Sequence, residues 1–225
     1  MGEARTLHRV LISAFEPFGG ATRNSSQDVI HALVKRAERR QLTAQKEHRD
    51  VVLIPLLLPV EFATAAQILT HATSEHSPHL VISVGLAAGT DTIRLERVGL
   101  NLRDARIPDN AGAQPVDQAI AEEGEPALFS TLRQKAAFER ITAADIPASL
   151  SLSAGSYVCN DVLYSVLHHL RNQNSGTRAA FVHVPDLHAS NPPPTVDQAC
   201  TALDLLISES LKCEADTHSP VGNLH

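Results

Sequence analysis

The chain has 225 residues, 43% of them apolar and 20% charged, which suits a globular protein with one large core. Its formal charge is −6 and its pI is near 6.0, which excludes a general nucleic-acid binder, since phosphate binding needs a basic surface. No apolar stretch is long enough to span a bilayer.

The chain opens on MGEARTLHRVLISAFEPFGG, whose short apolar run is broken by Glu16 and Pro17 and has no secretory pattern. HRVLISAF reads as a buried strand ended by Pro and Gly. NSSQDVIHALVKRAERR has polar caps and an apolar face at Val29, Ile30, Leu33 and Val34, the pattern of an amphipathic helix. VVLIPLLL is a second strand, with Pro55 suited to an edge or a bulge. PVEFATAAQILTHATSEH reads as a helix with Pro59 near its start, and HLVISVG as a strand buried on both faces. Alternation at Ile93, Leu95, Val98, Leu100 and Leu102 predicts a hairpin or irregular β excursion around residues 90–108. IPASLSLS is a later strand, SYVCNDVLYSVLHHLRNQ a helix, RAAFVHV a strand and TVDQACTALDLLISESLK a final helix. No linker or charge block splits the chain. The alternation predicts a single-domain, three-layer α/β/α sandwich over residues 1–212, with a twisted, mostly parallel central sheet. Residues 213–225 lack a periodic apolar pattern and are expected to form a mobile tail.

Cys159, Cys200 and Cys213 are odd in number and widely spaced, which fits a reducing cytosol better than a disulfide framework. Cys200 falls on a helix and reads as a small buried hydrophobe, and Cys213 as tail or helix end. Cys159 falls where a loop of small residues, Ser153, Ala154 and Gly155, turns into a helix. A helix start favours the thiolate, the reactive form of cysteine, and its N–H groups can hold a developing oxyanion. A thiol hydrolase also needs a base and a group to orient it. His183, at the end of an apolar strand, is the best placed of 12 histidines. His168 and His169 are adjacent on a helix and point in different directions, which makes a poor metal site. For the acid, Glu96 and Asp109 both remain open, because spacing does not choose between them.

Four ordered segments resemble the pyroglutamyl peptidase type I (pyrrolidone-carboxylate peptidase) family of cysteine peptidases. They are FEPFGG at 15–20, ERVGLNLRDARIPDN at 96–110, SAGSYVCN at 153–160 and FVHVP at 181–185, and the likeness runs from about Arg9 to Leu211. The resemblance implies Cys159 as nucleophile, His183 as base, Glu96 as the group that orients it, and Asp109 as a further catalytic acid. It implies that Phe15, Phe18, Leu86, Tyr157 and Val158 contact the substrate. It further implies a cytoplasmic enzyme without metal or cofactor, acting on peptides with an N-terminal pyroglutamate through a thioester. Nucleic acid and membrane are not expected partners, and a homo-oligomer, dimer or tetramer, stays open. The chain departs from the usual family pattern at Leu86, Thr90, Arg94, Gly99 and Leu152, around the site. Two other readings compete: a catalytically impaired binding protein of the same fold, or another amidase on this scaffold. A phosphorylase-like protein, with GLAAGTD as a phosphate loop, is a weaker form of the latter.

Overall fold

The computed structural model describes residues 7–47, 49–189, 194–212 and 214–221. In chain order the elements are β1 (Leu7–Phe15), α1 (Ser25–Glu38), the one-turn α2 (Thr43–Lys46), β2 (Asp50–Leu58), α3 (Thr64–His76) and β3 (Leu80–Leu86). There follow β4 (Ile93–Glu96), β5 (Val98–Leu100), β6 (Ala127–Phe129), α4 (Gln134–Ala143), β7 (Ala148–Ser151), α5 (Val158–Asn172), β8 (Arg178–Val184) and α6 (Val196–Ser210).

Six strands form the central sheet in the order β2-β1-β3-β8-β4-β7. β2, β1, β3 and β8 run parallel; β4 is antiparallel to β8 and parallel to β7. Strand alternation divides the apolar side chains between two layers. Val10, Ile12, Leu80, Ile82, Ala180 and Val182 pack with α1 and α6, whereas Leu11, Val81, Ala179 and Phe181 pack with α3 and α5. Coverage of both faces explains why β3 is apolar without interruption. Pro55 lies on β2, the edge strand, where a missing N–H leaves no ladder bond unmade on the open side.

Three places add detail that local patterns do not carry. Within residues 90–108, β4 joins the central sheet, while β5 turns away to pair with the distant β6 in a separate two-stranded ribbon. In β4, Ile93 and Leu95 enter the α1/α6 core, and Arg94 and Glu96 face the other side. The third helix begins at Thr64 rather than near Pro59, because Ala63 takes φ 58° and ψ −47° and Thr64 N–H closes a tight bond to the Phe62 carbonyl at 2.6 Å. Beyond α6, residues 215, 216 and 219 bond to the start of α4. Asp216 accepts the N–H groups of Lys135 and Ala136 at 3.0 Å, Arg133 donates to the Ala215 carbonyl, and Lys135 donates to that of Ser219. Asp216 thus caps α4 from outside its own sequence, which no local pattern announces. Cys213 lies outside the described residues.

Candidate active site

Cys159 is the second residue of α5 and is partly exposed. The chain reaches it through Gly155, at φ 83°, and Tyr157, the extended residue that precedes the helix. In the first turn, the N–H groups of Asn160 and Asp161 return to the Tyr157 carbonyl at 3.0 and 3.1 Å. Those of Val158 and Cys159 have no carbonyl one turn back to bind.

The sulfur lies over the sheet at Gly85. A Cβ on Gly85 would sit 3.1 Å from Cys159 Sγ and 2.8 Å from Phe181 Cζ. Gly85, His183 and Arg94 are Cα partners across β3, β8 and β4, so His183 stands in the middle of this row. Its ring leans on Phe181, with centroids 4.8 Å apart. His183 Nδ1 is 2.8 Å from Glu96 Oε1, and Glu96 is completely buried. Burial alone would depress the His183 pKa. The Cys159 charge and hydrogen bond, then the Glu96 hydrogen bond and charge, outweigh it and lift the value from 6.5 to about 9. With Nδ1 engaged by Glu96, Nε2 is the nitrogen left for the thiol. The other buried cysteine differs sharply: burial pushes Cys200 up to about 12, which keeps it an inert thiol.

Asp109 makes its hydrogen bonds outside this trio. One oxygen accepts Phe62 N–H at 2.8 Å, and the other accepts Ala111 and Ala113 N–H at 2.9 and 2.8 Å. It organises a loop rather than orienting the imidazole.

The aromatic positions divide in the same way. Phe15 is buried against Phe181, with centroids 6.0 Å apart, and Val158 is also in the core; both support the site from below instead of lining it with exposed side chains. Leu86 follows Gly85 on β3, so alternation turns it to the opposite face. Phe18 and Tyr157 form the accessible aromatic wall, with ring centroids 6.3 Å apart. They border a cavity of about 270 Å³ that also touches Asp104, Arg106, Ile107 and Ser156. A larger hollow of about 610 Å³ lies at the far end of α5, near Phe129 and Leu170; neither lining includes a member of the trio, but Tyr157 of the smaller cavity lies two residues before Cys159 and feels its charge. Burial, with Asp109 and Cys159 nearby, holds the Tyr157 hydroxyl above its usual pKa, and it donates to the Pro108 carbonyl at 2.9 Å.

Five residues that periodicity passed over hold this arrangement. Asn160 is fully buried and bonds the Leu100 N–H and carbonyl and the Leu102 carbonyl. Asp161, equally buried, pairs with Arg103 at 2.8 Å and accepts Ala63 N–H at 2.8 Å. The strained turn at Ala63 sets the Phe62 ring edge-on to Tyr157, at 5.2 Å. The available signal was the pair Asn160-Asp161 at the start of an otherwise apolar helix face. Of the departures, Thr90 closes a turn on Ala87, Leu152 is 68% exposed, and Gly99 lets the α5 backbone approach β5 at Tyr164.

A thiol beside a histidine, with a buried acid behind it, at the carboxyl ends of parallel strands in an α/β sandwich defines a cysteine-type hydrolase. The model of a family described as pyroglutamyl peptidase matches residues 8–202. A pyrrolidone-carboxylate peptidase of Yersinia pestis (strain Pestoides F) is 39% identical over 230 residues, covering 97% of this chain and 100% of the relative. Among solved structures, pyroglutamyl peptidase I from Bacillus amyloliquefaciens aligns with a TM-score of 0.84 and 31% identity, over 96% of this chain and 100% of that one. The pyrrolidone carboxyl peptidase from Thermococcus litoralis aligns at 0.83 and 32%, over 95% and 99%. The chain belongs to the pyroglutamyl peptidase family and is a cysteine-type omega peptidase. Among the described residues, no helix is long and apolar enough to cross a membrane.

Proposed function

We propose that the protein hydrolyses the amide bond after an N-terminal pyroglutamyl residue through a thioester on Cys159. The observation that carries this reading is the Glu96–His183 hydrogen bond beneath the Cys159 thiol, with the imidazolium favoured up to about pH 9. The thiolate attacks the pyroglutamyl carbonyl carbon, and the N–H groups of Val158 and Cys159 hold the oxygen as it gains charge. The imidazolium gives its Nε2 proton to the departing amine, so the C–N bond breaks and the thioester remains. Water then attacks the thioester while neutral His183 takes its proton. The acid is released, and thiolate and imidazolium are restored. Glu96 holds the ring orientation throughout and stabilises its charged form.

The lactam is uncharged and suits a cavity walled by Phe18 and Tyr157. The lining has one acid, Asp104, and one base, Arg106, so it offers an ammonium no net attraction. A glutaminyl peptide with a free amine should therefore be cut at least roughly a thousandfold less well than its pyroglutamyl counterpart. Release of a fluorophore from pyroglutamyl and glutaminyl amides measures this ratio, and comparable rates would sink the pocket assignment. Cys159→Ser should lower turnover roughly a thousandfold or more with the fold retained, while Cys200→Ser should change it little. An active Cys159→Ser variant would remove the nucleophile from the reading.

A further inference from the structure

Arg94 has no part in the steps above, yet it touches the groups that perform them. Strand pairing places Arg94 opposite His183, and Glu96 follows two residues later on the same face. Arg94 Nε is 3.5 Å from Glu96 Oε1, the oxygen that also holds His183 Nδ1. Its Nη2 donates to Ser151 Oγ at 2.8 Å. Ser151 Oγ donates to the Ser153 carbonyl at 3.1 Å and receives the Ser153 N–H at 3.4 Å, and Ser153 Oγ accepts Gly155 N–H. One guanidinium therefore spans the buried acid and the loop that leads to Cys159. Among the described residues, Glu96 Oε2 has no hydrogen-bond partner. A buried carboxylate with one bare oxygen is expensive to keep ionised and in place, and a second nearby cation offsets that cost. Arg94 brings this charge from the rim, where its side chain is 34% exposed.

We infer that Arg94 is a positioning residue for the hydrolysis: its guanidinium joins the Glu96 carboxylate to the Ser151–Gly155 loop and, as a cation beside the His183 imidazolium, sets the alkaline limit of the reaction. The inference rests on the proposed roles of Glu96, His183 and Cys159. The ionisable groups facing His183 are Glu96 and Arg94 from β4 and Cys159 from α5. β3 presents Gly85, β7 presents Ser151, and Tyr157 lies beyond Cys159. Glu96 attracts both cations, whereas Arg94 opposes the imidazolium. Removing the guanidinium charge must therefore let His183 keep its proton to higher pH.

The test measures kcat and KM on a pyroglutamyl amide from pH 6 to 10 for wild type, Arg94→Gln and Arg94→Lys, with the Tm of each. Arg94→Gln should lower kcat roughly tenfold near neutrality, keep KM within about twofold, and move the alkaline limb up by about half to one pH unit. Arg94→Lys keeps the charge without the planar fork, so it should restore the alkaline limb and only part of kcat. A Gln variant matching wild type in both kcat and limb overturns the inference. So does a Lys variant that leaves the limb at the Gln position. A rise in KM with the limb unmoved overturns it too, and makes Arg94 a substrate contact. If wild type itself neither turns over the amide nor is rapidly alkylated at Cys159, the reaction assigned to the trio fails first and takes this inference with it.

Discussion

At the scale of single residues, the site depends on one absence, the side chain missing from Gly85. An added Cβ would press on both Phe181 and Cys159 Sγ, and Phe181 in turn carries the His183 ring. Gly85→Ala should displace the thiol from the imidazole by a few tenths of an ångström. It should cost about 1–3 kcal/mol of stability and roughly tenfold or more in kcat, with KM less affected. Urea unfolding and steady-state kinetics on the variant check both effects, and a silent substitution would show that the sulfur is not held there. Cys159 and His183 stood out as candidates in the sequence because a loop-to-helix switch and a strand end are local patterns. The choice between Glu96 and Asp109 was not legible there. Both are acids in one irregular stretch, and only the fold shows that one meets an imidazole and the other meets three backbone N–H groups.

At the scale of elements, α5 is placed by its first turn. Asn160 ties it to the end of β5, and Asp161 ties it to Arg103 and to the turn before α3. Asp161→Asn keeps the volume but removes the charge that balances the largely buried Arg103. It should cost about 3 kcal/mol, and it should raise KM more than it lowers kcat, since Phe62 and Tyr157 lose their fixed relation while the trio stays. Differential scanning calorimetry and kinetics distinguish this from a purely structural loss, in which kcat per folded molecule and KM would both hold. Helices and strands with strong apolar periods were readable in the sequence. β6 and α4 were not assigned, since β6 is three residues long and α4 is capped by Asp216, about 80 positions away. In β4 the polar members of the alternation face the site rather than water, so a correct period suggested a solvated excursion.

At the scale of the whole molecule, the buried trio couples stability to pH. The folded pKa of His183, about 9, lies above its ordinary value of 6.5. A raised pKa means that its stabilising contribution is full below pH 6.5 and fades as pH rises through about 9. The size is on the order of 3 kcal/mol, since each tenfold gain in proton affinity on folding is worth about 1.4 kcal/mol. Urea denaturation at pH 6.5 and pH 9.5 should show a loss of this order in wild type. The loss should be much smaller in Cys159→Ser, because the Cys159 charge is the largest influence raising the value. Equal pH dependence in the two proteins would contradict an ion pair between Cys159 and His183.

The amino-acid sequence by itself pointed to the layered α/β architecture, to burial of β3 on both faces, to an edge or a bulge at Pro55 of β2, and to Cys159 and His183 as the candidate reactive residues. Each of these follows from burial period, from a proline that cannot complete a ladder, or from a switch between loop and helix within a few residues. Tertiary structure alone decided which acid serves His183, which aromatic rings line the cavity and which lie beneath it, and that Arg94 reaches both Glu96 and Ser151. Those outcomes depend on strand order and on which face of the sheet each side chain takes. β4 and β8 are distant in the chain and become neighbours only when the sheet is assembled.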